Sequence, residues 1–170
     1  IDLESKTIVV DAHETIRAKR IIIATGSRPR PLGIPGETEY RGNGISYCAT
    51  CDAKYFEGQN VVVIGGGNSA IEESLFIARF AKHITIVHQF DHLQANKHAQ
   101  ERVLSNKNIS VLFEHEPREF KKYAPMDMGV VVEHLPTGGR REIRVPGVFV
   151  FVGFEANLEV FGDSIERDQW

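Results

Sequence analysis

The chain has 170 residues, a formal net charge of −3, 25% charged residues and 42% hydrophobic residues. That is enough length for about one domain with its own core. The mildly acidic balance offers no basic surface for nucleic acid, and no apolar run nears the roughly 20 residues of a membrane-spanning helix. Residues 1–6 have neither the basic start nor the apolar stretch of a signal peptide. The chain has only two cysteines, Cys48 and Cys51. Secreted proteins stapled by disulfides usually carry more, so a reducing, cytoplasmic setting is expected. The chain opens without Met and closes on Asp168-Gln169-Trp170, in what reads as the approach to a further strand. It is expected to be an internal piece of a longer protein.

Taken in order, residues 7–10 and 15–18 flank Asp11-Ala12-His13-Glu14 and predict a β-hairpin. Residues 20–24, with three consecutive isoleucines, predict a short buried strand ending at Thr25-Gly26. Residues 27–36 hold Pro29, Pro31 and Pro35 with two glycines. Proline removes donors and fixes φ, so this stretch predicts an irregular linker and a domain boundary. Val61-Val62-Val63-Ile64 is a β-branched run of the kind buried on both faces of a parallel sheet.

A helix is predicted over 68–82. Ala70, Ile71, Ser74, Leu75 and Ala78 share one face, with Glu72, Glu73 and Arg79 mostly outside it. Residues 84–87 predict the second parallel strand, 95–104 a weaker helix and 109–113 a third strand. Strand-helix-strand-helix-strand is the mononucleotide-binding half of a doubly wound fold. The period then changes. Residues 118–123, 129–135 and 140–145 predict antiparallel strands, with a turn at Pro136-Thr137-Gly138-Gly139. Residues 148–153 predict a strand re-entering the main sheet. The expected class is α/β, a Rossmann-like doubly wound parallel sheet with an antiparallel β-meander.

The loop Gly65-Gly66-Gly67-Asn68-Ser69-Ala70 lies between the strongest strand and the strongest helix, the setting a dinucleotide-binding glycine motif requires. Gly65 permits a tight turn, Gly67 lets backbone approach phosphate, and the small Ala70 lets helix pack on strand. Free N–H groups and the helix dipole then face a pyrophosphate. The adenosine ribose is read just after the second strand, here His88-Gln89-Phe90-Asp91-His92-Leu93-Gln94. With no Arg or Lys to meet a 2′-phosphate and Gln89 able to bond the hydroxyls, NADH is favoured over NADPH. The alternative is that His88, His92 and Gln94 form a solvated loop edge.

Cys48-Ala49-Thr50-Cys51 admits three chemistries. Zinc needs four ligands, and the gap from Cys51 to His88 and His92 far exceeds finger spacing, so no metal site is expected. Two incidental thiols are the second. Dithiol–disulfide cycling is the expectation: one thiolate attacks a disulfide and the other resolves the mixed disulfide. Asp52 follows and can carry a proton to or from a departing thiolate. Its alternative use is as N-cap for residues 53–56.

These residues resemble the low-molecular-weight thioredoxin reductase family of flavoproteins. The resemblance is carried by Ser46-Tyr47-Cys48-Ala49-Thr50-Cys51-Asp52, by Gly65-Gly66-Gly67-Asn68-Ser69-Ala70-Ile71-Glu72-Glu73, by Ile22-Ile23-Ala24-Thr25-Gly26-Ser27 and by 150–157. It implies FAD in the full-length protein, NADH or NADPH as donor, a thioredoxin-like partner and a homodimer. Catalysis would fall to Cys48, Cys51 and Asp52, with Cys51 facing the flavin and Cys48 attacking the partner disulfide. Cofactor contacts would come from Gly65, Gly67, Asn68, Ser69, Ala70, Glu73, His88, Gln89, Thr25 and Gly26. The implied domains are a partial FAD-domain segment (1–32), a nucleotide-binding domain with the CxxC (33–153) and a return into the FAD domain (154–170). The nucleotide domain would rotate about hinges near 32–36 and 153–157.

Two departures stand out. NADPH-using members carry His-Arg-Arg and a later Arg after the second strand, where this chain has His88-Gln89-Phe90 and Gln94. The family's two terminal flavin motifs are also missing, and Gly162-Asp163 is not read as one of them. By itself the chain is expected neither to hold FAD nor to turn over. Two other readings stay open: a dinucleotide-binding module without turnover, and a flavoprotein fed by a protein donor such as ferredoxin.

Overall fold

The computed structural model describes residues 1–162 with Ile165 and Glu166. The expected strand approach at 168–170 and Asp163 lie outside the described residues. The chain divides into two compact units, Ile1–Arg28 with Phe154–Trp170, and Pro29–Gly153.

In the first unit, β1 (Thr7–Val10) and β2 (Glu14–Arg17) form the antiparallel hairpin, Thr7 opposite Arg17. Residues 20–24 are not a strand. Backbone N–H and C=O groups need a pairing edge, and no strand reaches these residues among those described; Ile22 is 91% exposed. The stretch 27–36 is not wholly irregular either. β3 (Ser27–Pro29) pairs with the short strand Phe154–Ala156. Pro29, which has no N–H, ends β3 where no further ladder bond is required of it.

The second unit begins with α1 (Glu37–Tyr40), β4 (Ile45–Ser46), α2 (Ala49–Asp52) and a 3₁₀ turn, Ala53–Phe56. There follow β5 (Asn60–Ile64), α3 (Asn68–Ile77), β6 (His83–Val87), α4 (Lys97–Leu104) and β7 (Ile109–Leu112). The meander strands are β8 (His115–Ala124), β9 (Asp127–His134) and β10 (Gly139–Val145), and β11 (Gly147–Val150) closes the unit. Five strands make one parallel sheet in the order β4-β11-β5-β6-β7, and β10-β9-β8 make a separate antiparallel sheet.

Successive strand residues face opposite ways, and both faces of the parallel sheet are covered. Val61, Val63, Ile84, Ile86 and Phe149 join Ala70, Ile71, Ile77, Ala99 and Val103 in a core beneath the helices. Val62, Ile64, Val87, Val148 and Val150 join Phe120, Met128, Val130 and Val132 in a second core beneath the meander. The layers are therefore helix, parallel sheet and antiparallel sheet.

Two helix limits differ from expectation. α3 stops at Ile77 because residues 78–80 tighten into a turn, with Arg79 N–H donating to the Phe76 carbonyl and Phe80 N–H to that of Ile77. Gly58 and Gln59 then hold Phe80 and Lys82 by backbone bonds. Ile77, absent from the expected apolar face, is fully buried. α4 starts at Lys97 because Asn96 caps it, its side chain accepting from Ala99 N–H at 2.9 Å. Among the described residues no helix is long and apolar enough to cross a membrane.

Phe149 lies fully buried at the centre of the helix-side core and meets Phe56 edge to face, with ring centroids 5.5 Å apart. Phe149→Ala is expected to destabilise the chain by about 3–5 kcal/mol, read as a lower urea midpoint with unchanged slope.

Candidate functional site

A cleft of about 620 Å³ opens at the carboxyl ends of β5 and β11. Sheet order reverses here: β6 and β7 lie to one side of β5, β11 and β4 to the other. Ligands of open α/β sheets bind at such switch points. Its walls include Gly65, Gly66, Gly67, Asn68 and Ser69.

Each glycine has its own reason. Gly65 has φ +124°, and a Cβ there would lie 2.2 Å from the Phe151 carbonyl oxygen and 3.2 Å from Ala70 Cβ. Gly66 packs under His88, whose ring atoms would be 2.4–2.6 Å from a Cβ. Gly67 is different. Its φ of −83° and ψ of −179° suit any residue, and a Cβ would meet nothing within 4 Å. Neither backbone nor packing demands glycine there, and the position opens onto the cleft. Gly67 is the N-cap of α3 and has no side chain with which to cap it. The first turn of α3, with Asn68 and Ser69 lining the cleft, therefore faces an anion with its positive end. Asn68 is itself pinned, its Oδ1 accepting from Asn96 N–H at 2.7 Å.

The cleft thus fits a dinucleotide pyrophosphate. Gln89 and Gln94 line it, and Gln94 N–H donates to the Gly66 carbonyl at 2.8 Å. His88 is not on a solvated edge: it is 5% exposed, and its Nε2 is buried without a hydrogen-bond partner in the structure. Burial, with the neighbouring His92, holds it below the usual imidazole range, so His88 stays neutral. Glu73 sits one turn into α3, half-buried and outside the cleft lining; burial and then Glu72 push its carboxyl above the usual range. Thr25 and Gly26 belong to the other unit. Both are exposed, and the Thr25 carbonyl accepts from Asn157 Nδ2 at 3.1 Å.

Sequence reasoning missed Arg30 and Arg118, which also line the cleft. It sought cations only after the second strand, whereas folding brings these from the linker and from β8. Arg118 is held by Glu116 at 2.8 Å and Glu133 at 3.3 Å. Arg30 is exposed.

The cysteines lie at the carboxyl end of β4, two strand spacings from β5, or about 10 Å across the sheet. They form a disulfide with Cα atoms 5.3 Å apart. Cys48 is half-buried and Cys51 exposed. Cys48 Sγ caps α2, accepting from Cys51 N–H at 3.2 Å. Asp52 does not act as the side-chain cap of 53–56. Its carboxylate instead accepts from Ser46 Oγ at 2.6 Å. Asp52 and Ser46 line a second cleft of about 380 Å³ with Tyr55, Lys122, Met126 and Met128.

Glu37 was also missed. Though 3% exposed, its carboxylate accepts from Leu32 N–H at 2.8 Å, Gly33 N–H at 2.7 Å and Tyr47 O–H at 2.5 Å. Burial and then Glu37 push the Tyr47 phenol far above its usual range, so it remains a donor. One acid thereby ties the linker to the residue before Cys48.

An α/β domain with an open dinucleotide loop and a formed CxxC disulfide on one sheet defines a nucleotide-linked disulfide oxidoreductase fold. The chain belongs to the pyridine nucleotide-disulphide oxidoreductase family, which it matches over residues 1–170. It is 39% identical over 171 residues to a 34.2 kDa protein in the rubredoxin operon of Clostridium pasteurianum, covering 100% of this chain and 55% of that protein. It is 39% identical over 165 residues to thioredoxin reductase of Streptomyces coelicolor, covering 97% and 51%. It is likewise similar to the crystal structure of Lactococcus lactis thioredoxin reductase in its FR conformation, with TM-score 0.85 and 38% identity, covering 92% and 52%. The chain spans about half the length of these relatives.

The glycine analysis separates two substitutions. Gly66→Ala is expected to cost about 1–3 kcal/mol by forcing the His88 ring aside. Gly67→Ala is expected to stay within about 0.5 kcal/mol of the parent. Urea unfolding of the two variants checks both.

Proposed function

We propose that this chain is the dinucleotide- and disulfide-bearing part of a flavin-dependent disulfide reductase. Electrons pass from NADH to the Cys48–Cys51 disulfide and on to a thioredoxin-like protein. One observation carries the reading: the Gly65–Gly67 loop lines a cleft on the same sheet whose edge strand leads into a formed CxxC disulfide. The family's name joins the same two chemistries, and relatives named thioredoxin reductase support the direction of electron flow.

In this reading the first turn of α3, Asn68, Ser69 and Ala70, faces the pyrophosphate, which Gly67 admits close to the backbone. Gln89 and Gln94 meet the ribose hydroxyls. When bound, the cofactors supply the electron chemistry, the dinucleotide as two-electron donor and FAD, in the longer protein, as relay to the disulfide. Exposed Cys51 is the sulfur open to attack, and Cys48 leaves as thiolate. In the reverse half, the Cys48 thiolate attacks the partner's disulfide beside the cleft that holds Tyr55 and Met126. Asp52 supplies and recovers the proton. Thr25 and Gly26 belong to the flavin side, and Glu73 supports the loop from α3. The longer protein is read as a cytoplasmic homodimer with hinges near 32–36 and 153–157.

A second reading of the donor has its own support. Arg30 and Arg118 line the dinucleotide cleft, and a 2′-phosphate drawn to them would make NADPH the donor.

Calorimetric titration of the chain decides the donor. NADH is expected to bind at least about tenfold tighter than NADPH, a difference of about 1.4 kcal/mol, with Gly67→Ala weakening it by a similar factor. Tighter NADPH binding, lost in Arg30→Ala, would favour the second reading. No binding to a folded chain would remove the dinucleotide and leave a protein donor. In the full-length protein, Cys48→Ser is expected to abolish dinucleotide-dependent reduction of a thioredoxin disulfide while dinucleotide affinity stays unchanged; retained turnover would refute the disulfide path.

A further inference from the structure

We infer that Ser46 is a positioning residue for proton transfer at the disulfide, its one hydroxyl proton switching between Asp52 and the backbone of Cys48. The inference rests on the reading of Asp52 as the acid and deepens it. Ser46 is 6% exposed and lies at the end of β4, directly before the redox turn. Its Oγ has three polar neighbours. It accepts from Cys48 N–H at 3.1 Å, and it can donate to Asp52 Oδ2 at 2.6 Å or to the Cys48 carbonyl at 3.2 Å.

A hydroxyl carries one proton and two acceptor sites. With Cys48 N–H on one lone pair, Ser46 can donate to only one of its two acceptors at a time. When Asp52 is a carboxylate, the charge-assisted bond to Oδ2 wins. When Asp52 carries a proton, Asp52 can donate to Ser46 Oγ, and the Ser46 proton turns to the Cys48 carbonyl. The Ser46 hydroxyl keeps a partner for its proton in both states, so a change of protonation does not leave this buried group unsatisfied.

Asp52 N–H donates to the Cys48 carbonyl at 3.2 Å, so Asp52 is tied by its backbone to Cys48 as well as by its carboxylate to Ser46. Cys48 Sγ also has the Cys51 N–H at 3.2 Å and Thr50 Oγ1 at 3.5 Å. The charged or titratable groups sharing the cleft with Asp52 are Lys122, whose ammonium is bonded to Asn43, and Tyr55.

The step balances as follows. An incoming thiolate bonds to Cys51 Sγ, the Sγ–Sγ bond breaks, and its electron pair leaves on Cys48 Sγ. That thiolate takes the Asp52 proton, Asp52 becomes a carboxylate, and Ser46 swings its O–H from the Cys48 carbonyl to Oδ2. A second thiolate from the reductant then displaces Cys51, so the reductant leaves as a disulfide and the chain holds two reduced cysteines.

The test is reduction of the chain's own disulfide by dithiothreitol at fixed pH, with rates divided by the dithiothreitol thiolate fraction. Samples are acid-quenched and alkylated for mass analysis. Asp52→Asn is expected to lower this corrected rate about tenfold, below the usual range for a positioned acid. Ser46→Ala removes the donor to the carboxylate and is expected to lower the rate at least about threefold, and Ser46→Thr is expected to restore it. In the Asp52→Asn background, Ser46→Ala is expected to have no further effect on the rate. If Ser46→Ala lowers the rate equally with and without Asp52, Ser46 is merely structural and the inference falls alone. If Asp52→Asn leaves the parental rate intact, the acid reading falls and takes the inference with it.

Discussion

Burial of β5 on both faces is the constraint on which the second unit depends. Val61 and Val63 face the helices, Val62 and Ile64 face the meander, and all four are at most 2% exposed. Such a strand has no solvent side, so it must lie inside a sheet with a layer above and a layer below. The strands β6 and β11 fill its two edges. Fixing β5 fixes the point where its chain must leave the sheet, and there Gly65 turns under the Phe151 carbonyl. The cleft is what remains between two neighbouring parallel strands whose chains depart in different directions.

The same sheet carries the sulfur chemistry through its edge. β4 is two residues long and pairs with β11, Ile45 opposite Val148. Its brevity sets the redox turn free of the sheet at once. Ser46 is still in the strand and buried; Cys48 has left it. Glu37 then fixes Tyr47 from the linker side. The disulfide is thus held from a strand, a linker and its own helical turn, each supplying a polar contact that a core of apolar side chains could not aim.

Much of this was legible in the sequence. Periods of two and of 3.6 gave the parallel strands, the helices and the meander, because those segments meet a layer that rewards one face or both. The glycine loop and the CxxC were legible because few residues can take those places. Other features were not. The isoleucines at 21–23 have strand composition, but a strand exists only where an edge accepts it, and composition says nothing of the edge. Arg30 and Arg118 enter the cleft from a linker and a distant strand, contacts that local spacing cannot express. Asp52 in front of a short helical turn has the look of a cap, and only the fold reveals that Ser46 holds its carboxylate while a sulfur does the capping. His88 reads as a cofactor contact, with a solvated edge as the alternative, and only the fold shows its ring buried over Gly66.

That sulfur cap has a consequence for how the protein can be taken apart. Cys48 Sγ is at once an electron carrier and a piece of scaffolding, since it satisfies the Cys51 amide that opens α2. Reduction leaves the acceptor in place, so the turn need not be rebuilt between redox states, and a thiolate there is a stronger acceptor than a disulfide sulfur. Serine at this position keeps an acceptor while deleting the chemistry; alanine deletes both. Inactivity of an alanine variant would therefore confound loss of an electron path with loss of architecture, and only the serine variant isolates the first.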